Sequence, residues 1–175
     1  MKVIKDIFET NEIFENSYTA IGTFDGLHYG HQQLIKGAIE KAKANGGKSV
    51  VFTFANHPME IINTDRAPKC INTIEEKIYL FEEMGIDYLI LQPFNKKFAD
   101  LTAVEFVEIL KSKVNSKELF VGFNFSFGEG GKAKTKDLIE LGESMGMKVN
   151  EIPAVSIDGE VISSTLIRKN LQKGH

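Results

Sequence analysis

One cysteine, Cys70, stands alone in a chain of 175 residues, so no internal disulfide can form and nothing points to an oxidising compartment. The chain also lacks any long uninterrupted apolar run, which argues against a membrane span. Its first residues, Met1-Lys2-Val3-Ile4-Lys5-Asp6, lack the apolar core of a signal peptide. No excess of positive charge is present: the net charge is -3, and the lysines are scattered along helical segments instead of forming a tract. A general attraction to nucleic acid is therefore not expected. Internal repeats and low-complexity tracts are missing too. What remains, 42% hydrophobic and 26% charged, belongs to the globular range. With no break in composition, residues 1–175 read as one domain with one sizeable core. The expectation is a cytoplasmic protein that acts on small molecules, without a nucleic-acid or membrane partner.

The richest stretch is Gly22-Thr23-Phe24-Asp25-Gly26-Leu27-His28-Tyr29-Gly30-His31, which gathers two imidazoles and three glycines. Before it, Tyr18-Thr19-Ala20-Ile21 is a short β-prone run. After it, Leu34, Ile35, Ala38, Ile39 and Ala42 recur at helical spacing until Asn45-Gly46-Gly47 ends the pattern. The glycines therefore sit where a strand turns into a helix. A helix N-terminus presents unpaired backbone N–H groups and roughly half a positive charge, which favours an anion. If the helix begins near His28, the spacing of three brings both rings to one side of its first turn.

Three readings compete for these histidines. As a bare pair they are ordinary exposed or core residues. Against that, Gly22 lets the backbone approach a ligand, and Asp25-Gly26 makes a tight turn that a plain surface helix does not need. Zinc is disfavoured, since there is no HExxH glutamate and Cys70 has no companion. Phosphate or nucleotide binding is the leading reading, although no Gly-Lys-Ser/Thr follows the glycines as in a Walker A loop.

Farther along, Ser49-Val50-Val51-Phe52-Thr53-Phe54 is a dense β-branched and aromatic run suited to a strand buried on both faces, ended by Ala55-Asn56-His57-Pro58. Met59 to Cys70 reads as a loop. Asn72-Thr73 with Glu75 and Glu76 opens a capped helix to about Met84, stopped by Gly85. Then come a strand at Asp87-Tyr88-Leu89-Ile90-Leu91, a helix from Thr102 to about Val114, and a strand at Glu118-Leu119-Phe120-Val121-Gly122. A Gly-rich aromatic loop leads to a helix from Lys136 to Met145 and a strand from Lys148 to Ile152. Ser156 to Ile162 has the Asp158-Gly159 centre of a hairpin, and Ser163-Ser164-Thr165-Leu166-Ile167-Arg168 reads as a capped short helix. Alternation of this kind predicts an α/β fold: a parallel sheet covered on both faces, with ligands at the C-terminal ends of its strands. On that edge the turn with His28 and His31, the turn with His57-Pro58, and the turn with Asn124, Phe125 and Phe127 should converge.

Each further cluster has an ordinary explanation beside a functional one. Ser163-Ser164-Thr165 and Arg168 offer hydroxyls, helix N–H groups and a guanidinium that would suit polyphosphate, yet alone they read as an N-cap with a surface arginine. Asn56-His57-Pro58 is evenly balanced between a strand-ending turn and a ligand contact. Phe123, Phe125 and Phe127 either wedge a planar ring or finish a buried strand, and the core reading is preferred. Phe94, Phe98 and Phe106 are likewise read as core.

Taken together the segments resemble the adenylyltransferase (FAD synthetase) module of the prokaryotic bifunctional riboflavin kinase/FMN adenylyltransferases. The decade from Gly22 to His31 resembles that family's G-x-F-D-G-x-H-x-G-H, a form of the HxGH motif of a nucleotidyltransferase superfamily. Val51-Phe52-Thr53-Phe54 through His57-Pro58 is similar to its second strand and F-x-P-H-P segment. Pro93-Phe94 with Phe98-Ala99 is similar to P-F-x-x-x-F-A, Gly122 to Gly128 to G-x-[DN]-F-x-F-G, and Ile162 to Arg168 to I-S-S-T-x-I-R. HxGH alone names only the superfamily, whereas the ordered set of five is far more specific. Asn56 departs from the pattern by replacing the proline usual before the histidine-proline pair. The chain stops at Gly174-His175, where the bifunctional family continues into a riboflavin kinase barrel, so kinase activity is not expected.

The resemblance implies a Rossmann-like parallel sheet with helices on both faces, and transfer of AMP from ATP to the phosphate of FMN, giving FAD and pyrophosphate. It implies His28, His31 and Arg168 as catalytic residues. Gly22, Thr23, Phe24, Asp25 and Gly26 join these at the ATP site, together with Ser163, Ser164 and Thr165. Phe54, Asn56, His57, Pro58, Asn124, Phe125 and Phe127 would border the flavin. Mg²⁺ would come with ATP, held mainly by phosphates and water, with Asn124 as the one protein group near it. Alternatives are another HxGH adenylyltransferase, acting on pantetheine phosphate or nicotinamide mononucleotide, and a flavin- or nucleotide-binding module without catalysis.

Overall fold

The computed structural model describes residues 1–58 and 72–153, together with 156–157, 160–161, 167 and 169–171. Six parallel strands form one sheet: β1 (Lys2–Ile4), β2 (Ser17–Ile21), β3 (Lys48–Phe54), β4 (Tyr88–Gln92), β5 (Ser116–Gly122) and, late in the chain, β8 (Lys148–Ile152). Their order across the sheet is β1-β4-β3-β2-β5-β8. Helix α1 (Tyr29–Ala44) follows β2, α2 (Ile74–Met84) precedes β4, and α3 (Lys96–Ala99) and α4 (Ala103–Ser112) lead into β5. A small antiparallel hairpin, β6 (Ser126–Phe127) with β7 (Ala133–Lys134), then runs into α5 (Thr135–Ser144). A second pair, β9 (Ser156–Ile157) with β10 (Glu160–Val161), brackets the expected Asp158-Gly159 turn, whose own residues lie outside the described ones.

Local chemistry sets the boundaries. Thr73 and Glu76 close a capping box at the start of α2, and Thr102 and Glu105 close one at the start of α4. Gly85 ends α2 at φ 86°, a left-handed conformation that glycine adopts without a Cβ penalty. Successive strand residues face opposite sides of the sheet. Val50, Phe52 and Phe54 therefore enter one buried cluster, with Phe106, Val107 and Leu110 of α4 and Leu138 of α5. Val51, Ala20 and Phe120 enter the other, with Leu34, Ile35 and Ala38 of α1 and Phe81 of α2. Helices thus cover both faces, as the alternation predicted.

Connectivity reverses at β2. From there the chain winds to β3 and β4 on one side, then returns to place β5 and β8 on the other. Sheets of this kind leave a crevice at the carboxyl ends of the two strands flanking the reversal. Gly22, directly after β2, and Gly122, the last residue of β5, stand at that point.

The short helix α3 and the β6–β7 hairpin, the latter in the expected Gly-rich loop, are additions to the sequence expectation, and β1 and Phe123 differ from it. β1 was not expected; its three residues pair with Tyr88, Leu89 and Ile90, and Gln92 holds the segment that follows by accepting from the Ile7 N–H at 2.7 Å and donating to Asp6 at 2.9 Å. Phe123 does not extend a buried strand: β5 ends before it and its side chain is 46% exposed, while Phe127 is buried in the hairpin.

Candidate active site

The turn from β2 into α1 is held in an unusual backbone course. Phe24 and Leu27 adopt φ of 50° and 38°, and Gly26 φ of 81°. Such conformations cost energy and persist only where surrounding contacts over-determine them. Here the contacts come from β3 and α2. The Thr23 carbonyl accepts from Thr53 Oγ1 at 3.0 Å and from Lys77 Nζ at 2.9 Å. Asn72 accepts the Gly26 N–H at 2.8 Å and donates its own N–H to Asp25 Oδ1 at 3.2 Å. The Phe24 ring, fully buried, meets His31 edge-on at 5.2 Å and Phe81 at 5.9 Å. A Cβ on Gly22 would lie 3.2 Å from that ring, so a side chain there would make the Phe24 ring give way by a few tenths of an ångström.

His28 caps α1. Its Nδ1 accepts from the Gly30 N–H at 3.1 Å, which leaves the neutral ring's proton on Nε2 as a donor. A Cβ at Gly30 would come within 3.0 Å of His28 Cε1, so the bare backbone there lets the ring fold back over the helix. The His28 and His31 rings stack at 3.6 Å between centroids, 24° apart. Both histidines of the motif therefore act as one unit on the first turn of the helix. His31 Nδ1 is buried without a hydrogen-bond partner among the described residues. Burial, then the neighbouring charges of His28 and Lys77, push the His31 imidazole down to about 3, and burial also lowers His28. The pair is neutral at ordinary pH.

A cavity of about 380 Å³ opens at the reversal of the sheet, with Gly22, Thr23, Phe24, His28 and His31 in its wall. Phe54, His57, Pro58, Asn124, Phe125 and Phe127 also line it. The three expected turns thus converge. Phe94, Phe98 and Phe106, read from sequence as core, are buried and also form part of this wall. Their rings pack with Phe54 in a chain of tilted and edge contacts, including Phe54 to Phe98 at 5.3 Å and Phe98 to Phe106 at 5.8 Å. Phe125 and Phe127 stack at 5.5 Å, 14° apart. Asn124 Oδ1 turns back to within 3.6 Å of where a Gly122 Cβ would stand.

Three expected site residues stand apart from this cavity. Asp25 and Asn56 line a second, smaller one of about 180 Å³, and the Gly26 amide is occupied by Asn72. Asn56 clamps the Phe94 backbone instead of facing the larger cavity. Ser163, Ser164, Thr165 and Arg168 lie outside the described residues. Among the described residues no group of three or more His, Cys, Asp or Glu stands together as a metal site.

Residues 10–166 match the family model for FAD synthetase. The chain belongs to the FAD synthetase family. Relatives agree with this assignment: the bifunctional riboflavin kinase/FMN adenylyltransferase of Buchnera aphidicola subsp. Schizaphis graminum is 36% identical over 98% of this chain and 55% of its own length. The proteins of the same name from Bacillus subtilis and Escherichia coli K12 are 34% and 32% identical, over 90% and 98% of this chain and 50% and 55% of theirs. The chain spans about half the length of these curated relatives. In three dimensions it resembles a Streptococcus pneumoniae chain described as a macrolide-efflux protein, with a TM-score of 0.82 and 29% identity over 97% of this chain and 56% of that one. That description names efflux, but among the residues described for this FAD synthetase family member no helix is long and apolar enough to cross a membrane. The family is a nucleotidyltransferase one, and the Rossmann-like parallel sheet accords with it.

Proposed function

We propose that this chain is an FMN adenylyltransferase: an oxygen of the FMN phosphate attacks the α-phosphorus of ATP, the bond to the bridging oxygen breaks, and FAD and pyrophosphate leave. The observation that carries the reading is one cavity lined by two chemically different groups, stacked neutral histidines at a helix N-terminus and an aromatic wall several rings long. A polyphosphate suits the first group and a planar, largely apolar ring system the second.

No covalent protein intermediate is required, because the nucleophile is already an anion and the protein's task is alignment and charge stabilisation. His28 would donate Nε2–H to an α-phosphate oxygen, its orientation fixed by the Gly30 N–H on the other nitrogen. His31, which lines the same cavity and whose buried Nδ1 has no hydrogen-bond partner among the described residues, would face the triphosphate with the rest of its ring as negative charge builds there. The N-terminus of α1 adds its partial positive charge. Ser163, Ser164, Thr165 and Arg168 would hold the outer phosphates, as the family resemblance implies. Magnesium would enter as part of the MgATP substrate, coordinated by phosphates and water, with the Asn124 amide as the nearby protein oxygen. Thr23 and Gly22 would border the nucleotide, while Phe54, His57, Pro58, Phe125 and Phe127 would border the flavin, with Phe94, Phe98 and Phe106 behind them.

An acceptor panel tests the assignment. Purified protein given MgATP and, separately, FMN, pantetheine phosphate and nicotinamide mononucleotide should release pyrophosphate with FMN alone. Turnover with another acceptor and none with FMN would reassign the substrate. Binding of FMN and ATP without pyrophosphate release would make the chain a binding module.

A further inference from the structure

Helix α2 turns two residues inward, Lys77 and Phe81, one helical turn apart. Phe81 belongs in an apolar cluster, but a lysine at 9% exposure does not, because an ammonium taken out of water must be solvated by the protein. Its destination is specific. Nζ reaches the Thr23 carbonyl at 2.9 Å, fifty-four positions earlier in the chain, in the turn that delivers His28 and His31. Thr53 Oγ1 bonds the same oxygen from β3, and Asn72, just before α2, bonds Asp25 and Gly26 in the same turn. The start of α2 therefore holds the turn at residues 23, 25 and 26, around the left-handed Phe24 and Gly26.

We propose that Lys77 is a positioning residue for the adenylyl transfer: its ammonium draws the Thr23 carbonyl toward α2, fixes the turn that presents the two histidines, and keeps a positive charge behind them where the triphosphate binds. Without Lys77 the Thr23 carbonyl keeps Thr53 Oγ1 as a donor but loses the charged one, and with it the positive charge beside the turn. The charge also acts at a distance. Besides burial, the groups that hold His31 neutral are His28 on its own helix and Lys77 on α2. This inference rests on the proposed reaction, but one of its two readouts does not.

The test compares Lys77→Met, which keeps the length and removes charge and donor, with Lys77→Gln, a neutral donor, and Lys77→Arg, which keeps the charge. In nucleotide-free protein, NMR titration of the imidazoles should show the His31 midpoint moving up by about half a unit or more in the Met and Gln variants and staying put in Arg. In the FAD-forming assay, kcat should fall ~100-fold in Met, with the KM for FMN within about twofold of the parent and most of the loss recovered in Arg. If Met does not fold, Gln carries both readouts. An unmoved His31 midpoint in Met and Gln, an unchanged kcat, or a loss that Arg does not rescue overturns the role of Lys77. A parent protein that makes no FAD, with the His31 midpoint still responding to Lys77, overturns the reaction and leaves the electrostatic link standing.

Discussion

Asn56 holds Phe94 by both ends of its amide: Oδ1 accepts the Phe94 N–H at 2.8 Å and Nδ2 donates to the Phe94 carbonyl at 2.9 Å. The side chain thereby continues the β3–β4 pairing past the point where the strands end, using a residue where the family pattern has proline. Phe94 carries part of the aromatic wall, so the clamp sets how that wall stands.

Replacing Asn56 by Ala leaves two backbone groups of Phe94 without these partners. We expect a loss of ~1–3 kcal/mol in unfolding free energy, measured by urea denaturation. In kinetics, the KM for FMN should rise several-fold while kcat changes less. A fall in kcat with an unchanged KM for FMN would place Asn56 outside the flavin end of the site.

His28 serves as both cap and proposed donor, and the two roles separate by substitution. Asn is a good N-cap, so His28→Asn should keep stability within about 1 kcal/mol of the parent. Without the Nε2 donor, turnover should fall ~100- to 1000-fold, with flavin affinity by fluorescence titration nearly unchanged. Equal turnover in His28→Asn and parent would remove His28 from the chemistry.

The state of His31 sets a pH dependence. Its folded value, about 3, lies below the ordinary 6.5, so the folded protein favours the neutral ring. The stabilisation is complete above about pH 6.5 and is lost as pH falls toward 3, because the unfolded chain takes up a proton that the folded one refuses. Nucleotide-free protein should therefore show no His31 titration between about pH 5 and 8, and its melting temperature should drop on acidification less steeply in His31→Asn. A His31 midpoint near neutrality would contradict the burial described for it.

Much of this architecture was legible from local signals. Thr73 with Glu76 and Thr102 with Glu105 announce their helices within four residues, and Gly85 announces an end, because capping is short-range chemistry. The convergence of His28, His57 and Asn124 followed from strand and helix alternation alone. The partners that cross the chain were not legible. β1 is three residues long and becomes a strand only beside β4. Asp25-Gly26 reads from sequence as a tight turn, placed at the ATP site by the family resemblance, but both residues bond Asn72, more than forty positions away. Lys77 is one of the lysines scattered along helical segments, and its inward direction depends on which face of α2 meets the sheet. Phe94, Phe98 and Phe106 were read as core and are, yet a buried ring beside a cavity has the same sequence signature as one that fills the interior.

In the proposed reaction AMP passes directly between two small molecules beside His28 and His31 in the cavity. The protein should be incubated with FMN, magnesium and ATP labelled at the α-phosphorus, and the label followed by chromatography of products and protein. Label is expected in FAD, with one pyrophosphate released per FAD formed and none retained on the protein. Label that stays on the chain, or that appears in free AMP with no FAD, would contradict direct transfer.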